Sequence, residues 1–285
     1  MSRLAFANLA LLLAVTGAGL WIYVKPSREA LTMHALSART PAQASKIRIE
    51  REGHPAIVLD RQHERWRLAV PVSAEADAHE VERVLAILTA RAVERYPAVG
   101  LDRYELSHPR LRLSIDDESF AFGMANPVSG EQYVLARNAV YPIAPRYGAA
   151  LPLDAMQLAR RRLLSAAEIP ARIETGEFAV ALQDGKWTLT PQGGTASEDQ
   201  LARWVEDWRL AVAARVVPLA GPLPGLGEVR VALKSGGSVA FTIVQREPEL
   251  VITRGDEKLE YHFPSATAQR LLSSPVARDR RPAPK

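Results

Sequence analysis

Apolar and polar residues alternate at Ile47 and Ile49, at Ile57 and Leu59, and at Trp66, Leu68 and Val70. A period of two with one apolar face predicts three half-buried antiparallel strands, separated by Gly53-His54-Pro55 and by the polar turn Arg61 to Glu64. Pro71 ends the third. The period then lengthens. Val81, Val84, Leu85 and Leu88 recur at helical spacing behind Asp77, a suitable N-cap, which predicts an amphipathic helix over residues 78–93. Its apolar stripe needs cover, and the strand face bearing Trp66 is the nearest candidate. Alternation returns with Leu111, Leu113 and Ile115, turns at Asp116-Asp117-Glu118, and resumes through Phe120, Phe122, Tyr133-Val134-Leu135 and Ala139-Val140-Tyr141. Three consecutive acids invite a metal assignment, but without other well-placed ligands they read as a solvated turn.

Leu153, Met156, Leu158, Leu163 and Leu164 predict a connecting helix across Pro152 to Leu164, after which the pattern restarts. Ile173 answers Ile49, Phe178, Val180 and Leu182 form the next strand, and Asp184-Gly185 is a hairpin turn before Lys186-Trp187-Thr188-Leu189. Ser197 caps a helix bearing Leu201, Trp204, Val205, Trp208 and Val212. Strands follow around Val229, Phe241, Leu250 to Thr253 and Leu259 to Phe263, with a last helical turn from Ser265 to Leu272. Trp66 and Trp187, Phe120 and Phe241, and Phe122 and Ile243 are each 121 residues apart. A constant offset across strand, helix and strand implies a duplicated supersecondary unit.

The predicted fold class is α+β: two tandem repeats, each an antiparallel sheet of three strands, a helix and about four strands, after an N-terminal transmembrane helix. The implied division is an anchor at 1–25, a tether at 26–45, repeats at 46–147 and 169–272, a helical connector at 148–168 and a disordered basic tail at 273–285.

The anchor rests on Leu4 to Val24, 21 residues without a charge. As a helix these reach about 30 Å, the thickness of a bilayer's hydrocarbon core. Trp21, Tyr23 and Lys25 suit the membrane–water interface. The apolar run is longer than a cleaved signal's and no A-x-A site follows it, which favours an uncleaved signal-anchor. The expected location is the cytoplasmic (inner) membrane, single-pass through residues 4–24, with the amino terminus cytoplasmic and the bulk of the chain periplasmic.

The net charge of +4 adds little. Residues 1–28 and the segment from Arg278 each carry +3, leaving about −2 for the middle, so no nucleic-acid partner is expected. Cysteine is absent, which removes disulfides and thiolate chemistry. None of His34, His54, His63, His79, His108 and His262 stands in a metal-binding spacing. No G-x-S-x-G, Walker or Rossmann glycine motif occurs, so no catalytic, cofactor or metal residue is assigned and no enzymatic activity is expected. Two groups stand out as a candidate interaction surface. Arg160, Arg161 and Arg162 suit an anionic headgroup or phosphate, or else a solvated helix end. Trp204 and Trp208 at i and i+4 suit a ligand platform, or else core packing.

Ile47-Arg48-Ile49, Trp66-Arg67-Leu68 with Pro71, Ala76-Asp77, Gly100-Leu101-Asp102, Pro109 before Leu111-Arg112-Leu113, and Tyr133-Val134 together resemble the bacterial family catalogued as domain of unknown function 4340. The resemblance covers most of residues 46 to 272. Here the family's Gly-Leu-Asp-x-Pro run is stretched by Arg103 to His108, and the second copy keeps Gly225-Leu226-Gly227 without the aspartate. The resemblance implies a membrane-anchored envelope protein, with some relatives associated with ABC-type export or gliding-motility systems. The function expected is an accessory or scaffold protein that binds another envelope component. The alternatives are an envelope hydrolase or transferase with a cleft between the repeats, and a lipid- or small-ligand-binding module.

Overall fold

The structure is a computed structural model and describes residues 14–16, 33–191 and 196–276. It corrects the fold class: the protein is mostly β, with three antiparallel sheets of two, nine and eight strands. Helices are few and short, the longest described being Glu198–Arg209. Among the described residues no helix is long and apolar enough to cross a membrane. The span predicted at 4–24 lies outside the described residues apart from 14–16, as does the tail beyond 276.

The nine-stranded sheet runs 74–75, 65–70, 57–62, 46–51, 111–115, 118–125, 132–136, 139–143 and 96–97. The eight-stranded sheet runs 186–190, 179–183, 170–174, 227–233, 238–245, 250–254, 259–263 and 215–218. In both, a strand after the helix, 111–115 or 227–233, inserts beside the first strand, while the short strand ahead of it, 96–97 or 215–218, takes the far edge. Cross-strand rows match as well. One sheet aligns Leu68, Leu59, Ile47, Ile115 and Glu118; the other aligns Leu189, Val180, Ile173, Val231 and Val239. Ile173 therefore answers Ile47 in the ladder rather than Ile49, because the loops flanking the first strand differ in length. The inner faces of both sheets feed one apolar core, which includes Ile47, Leu59, Phe120, Ile173, Phe241 and Tyr261.

The helix predicted over 78–93 is α-helical only for Ala78–Leu85, tightening to a 3-10 turn at Ala86–Thr89. Long-range pairing ends it: the chain after Thr89 leaves the helix so that Arg91–Ala92 can pair with His34–Ala35, and Leu36 N–H donates to Ala90 O at 3.3 Å. Asp77 starts it, its carboxylate accepting from the amides of His79 and Glu80 at 3.0 and 3.4 Å. Asp77→Ala is expected to lower stability by about 1 kcal/mol, read as a shifted denaturant midpoint at constant slope.

The segment assigned to a tether is part of the fold from residue 33 onward, with Leu36 and Ala44 in the core. The acidic turn holds it there. Asp116 accepts from Ser45 Oγ at 2.6 Å and Lys46 N–H at 2.9 Å, Glu118 accepts from Ser37 Oγ, and Asp117 pairs with Arg39. Burial pushes the Asp116 carboxyl up, but the Ser45 and Lys46 donors and the nearby Arg39 outweigh it and leave it below the usual range.

The predicted connecting helix across 152–164 is absent. Only a 3-10 turn, Ala155–Leu158, forms behind Asp154, which accepts from Met156 N–H at 2.8 Å. Beyond it the chain is an extended strap. Asp77 N–H donates to Leu158 O and Arg160 N–H to Glu75 O on the first sheet's side. Ala213 N–H donates to Arg161 O and Leu163 N–H to Ala211 O on the second sheet's side. The ladder bonds available on both flanks, added to burial of Leu163 and Leu164 side by side, outweigh helical propensity.

Candidate functional site

The strap lies where the two sheets meet, and beneath it sits a group of buried charges. Arg160 is buried, donating through Nη2 to Glu257 Oε1 at 2.7 Å, with Nε 3.4 Å from Glu75. One arginine thus spans the seam, from the edge strand of the first sheet to the turn of the last hairpin of the second. Tyr261 donates its phenol to the other Glu257 oxygen. Burial, reinforced by the Glu257 charge, pushes the tyrosine's pKa well up, so it stays protonated.

Arg254, 4% exposed, is the second cation. Its guanidinium donates to Glu168 at 2.5 and 2.9 Å, to Asp256 at 2.7 and 3.0 Å, and to the strap carbonyl of Leu163 at 2.8 Å. Burial opposes the charge on both sides of this pair. The hydrogen bonds win: the Arg254 donors and the Ser165 amide hold Glu168 down at about 2, and the carboxylates raise Arg254 further. These groups sit where the two sheets differ. The hairpin of the first sheet turns tightly at Arg137-Asn138, both at positive φ, whereas the corresponding hairpin of the second needs the wider turn from Gly255 to Lys258 that carries Asp256 and Glu257.

No motif or spacing in the sequence marks Arg254, Glu168, Glu257 or Tyr261. One signal was available: Arg254 closes Leu250–Arg254, a strand buried at every position, and a charge in such a run needs a partner.

The candidates from sequence fall in two places. Trp204 and Trp208 are 0% exposed, and both indoles donate to the carbonyl of Leu271, at 3.2 and 3.0 Å. They are core residues, which withdraws the ligand platform. The arginine triplet is split by the strap: Arg160 points into the seam, and Arg161 and Arg162 are exposed with no carboxylate within 4.0 Å among the described residues. Arg161 lines a hollow of about 590 Å³ across the seam, together with Arg83, Leu153, Met156, Arg215 and Val216. A second hollow of about 740 Å³ lies between the helices Glu198–Arg209 and Ser265–Leu272 and includes Leu210 and Val212. Val212, bridged to Arg162, and Leu153 and Leu210 are exposed at 46%, 57% and 48%.

The carboxylates lining the seam hollow are Glu80 and Asp154, and each is committed, Glu80 to Arg83 at 2.8 Å and Asp154 to capping. Among the described residues no group of three or more His, Asp or Glu could hold a metal ion. His262 meets Glu249 at 2.8 Å and Arg215 Nη2 at 3.0 Å, away from the histidines His54 and His108 of the first sheet.

A sequence model of the family described as Domain of unknown function (DUF4340) matches residues 66–209, half of the chain. The matched region begins in the strand of Trp66, includes the whole strap, and ends with the helix of Trp208. No curated protein matches the chain, and no solved structure does. With half of its length matched, across the strap that joins the two sheets, the chain belongs to the DUF4340 family of domains of unknown function.

Proposed function

We propose that the protein is an accessory component of the bacterial envelope, tethered to the cytoplasmic membrane through residues 4–24, that docks a protein partner on the seam. The observation that supports this reading is the composition of the surface around the strap. Leu153, Leu210 and Val212 are exposed apolar residues around two arginines without carboxylate partners among the described residues. The strap carrying the arginines is bonded to both sheets, so little order is lost when a partner binds. Apolar anchors beside arginine are the pattern of an interface centre, and the cations select a partner segment bearing carboxylates. Components of an ABC-type export system are the first partners to examine, on the family resemblance.

Photo-crosslinking in intact cells, with the reactive residue at the exposed Leu153 beside Arg161, is expected to give one discrete adduct. Reversing both charges, Arg161→Glu with Arg162→Glu, is expected to reduce it about tenfold, as loss of charge complementarity would. Recovery of the protein alone, or an adduct indifferent to the reversal, would count against docking here. Topology is a separate matter: a reporter fused after Lys285 that is active only in the cytoplasm would overturn the periplasmic placement.

A further inference from the structure

The loop of residues 100–110 has its own small core on the outer face of the first sheet. Tyr104 and Leu106 are buried against Ala121 and Val140, and the Tyr104 ring lies 4.6 Å from Tyr133. Gly100 and Glu105, both left-handed, bracket the 3-10 turn Leu101–Tyr104, and Leu106 N–H closes it by donating to Leu101 O at 3.0 Å. Gly123 is required beneath it, since a Cβ there would stand 2.1 Å from the Tyr104 carbonyl oxygen. The loop is thereby held against the sheet. It delivers His108 to the point where the strand Lys46–Arg51 ends and Leu111–Ile115 begins.

Two adjoining hollows, of about 750 and 510 Å³, meet at this point. The residues that line both are Arg51, Ser107, His108 and Arg110. All four can donate hydrogen bonds and none is acidic. The carboxylates lie on one side or the other: Glu50 and Glu52 line only the larger hollow, Asp102 and Glu105 only the smaller. Glu50 is held by Arg48 at 2.8 Å, and Glu52 is 3.4 Å from Arg110. Arg51 is half-buried, and its Nη2 donates to Leu151 O at 3.2 Å, which fixes the guanidinium beside the hollows. A fork of arginine donors beside an imidazole and a hydroxyl suits a tetrahedral oxyanion.

We propose that Arg51, Ser107, His108 and Arg110 form a phosphate-binding site, separate from the seam, that takes a phosphate group either free or as a lipid headgroup. The test is NMR titration of the full chain in detergent, following the Arg51 Nε–H and His108 ring signals. Inorganic phosphate and water-soluble dihexanoyl phosphatidylglycerol are the two probes. A saturable shift with either supports the site, and the tighter of the two identifies the source. Sodium chloride at matched ionic strength should not reproduce it. His108→Ala with Arg110→Ala, both exposed and so harmless to folding, is expected to weaken binding about tenfold, or about 1.4 kcal/mol. Arg51→Gln should do the same where its unfolding midpoint is preserved. No saturable shift with either probe, equal shifts with chloride, or unchanged affinity in the double variant would overturn the proposal.

Discussion

Arg254→Ala is expected to lower the stability of the protein by roughly 3–5 kcal/mol, the usual loss when one member of a buried ion pair is removed. The side chain itself is not the main reason. Its removal leaves Glu168 with the Ser165 amide as its remaining hydrogen-bond donor, and leaves the Leu163 carbonyl of the strap without the guanidinium. Arg254→Lys should recover only part of the loss, because an ammonium cannot serve Glu168, Asp256 and Leu163 in one plane. Equilibrium unfolding in urea measures it, and a loss below about 1 kcal/mol would show that the network carries no such weight.

The same pair sets the acid limb. Glu168 has its folded pKa depressed to about 2 from an ordinary 4.5, so its contribution is fully present above 4.5 and is lost as pH falls from there through 2. That contribution is at most about 3 kcal/mol. Glu168→Gln should flatten stability between those two pH values while lowering it at neutrality. An acid limb unchanged in the variant would exclude Glu168 as its source.

Trp208→Ala is expected to cost about 3–5 kcal/mol, the range for emptying a large aromatic site in a core. Trp208 packs edge-on to Trp204 at 6.2 Å and lies at the same distance from Phe241, while its indole holds the carbonyl of Leu271 near the end of the helix Ser265–Leu272. Losing it should loosen that last helix first. Hydrogen exchange should therefore rise in 265–272 before it rises in the sheet. Trp208→Phe keeps most of the packing and leaves Leu271 O to Trp204 alone, so a smaller loss of about 1–2 kcal/mol is expected. Full stability in the alanine variant would contradict the core role and reopen the case for a ligand platform.

How far each feature could be read from the chain depends on how local its cause is. The alternation at Ile47 and Ile49, or at Val229 and Val231, marks strands because the period of two is a property of the backbone, and the ladders run through those residues. Asp77 and Ser197 announce helix starts for the same reason, each accepting from amides within three residues. The spacing from Trp66 to Trp187 and from Phe122 to Ile243 was equally visible, and those residues occupy matching rows in the two large sheets.

Sequence and structure part where a distant partner decides. Leu158, Leu163 and Leu164 fit a helix by spacing alone. Glu75 and Ala213, far off in sequence, offer backbone partners that make the segment a strap. With that helix gone and the helix after Asp77 cut short at Leu85, the sheets dominate and the chain is mostly β rather than α+β. Asp116 looked solvated until Ser45 and Lys46 came to meet it. In the candidate surface, Arg160, Arg161 and Arg162 are identical as letters. Only the tertiary structure sends the first to Glu75 and Glu257 inside the seam and leaves the other two outside. The sequence by itself determined where strands and caps begin, because those depend on periodicity and on neighbours a few residues away. The tertiary structure alone decided which charges meet, because pairing a buried ion depends on groups brought together from about a hundred residues apart.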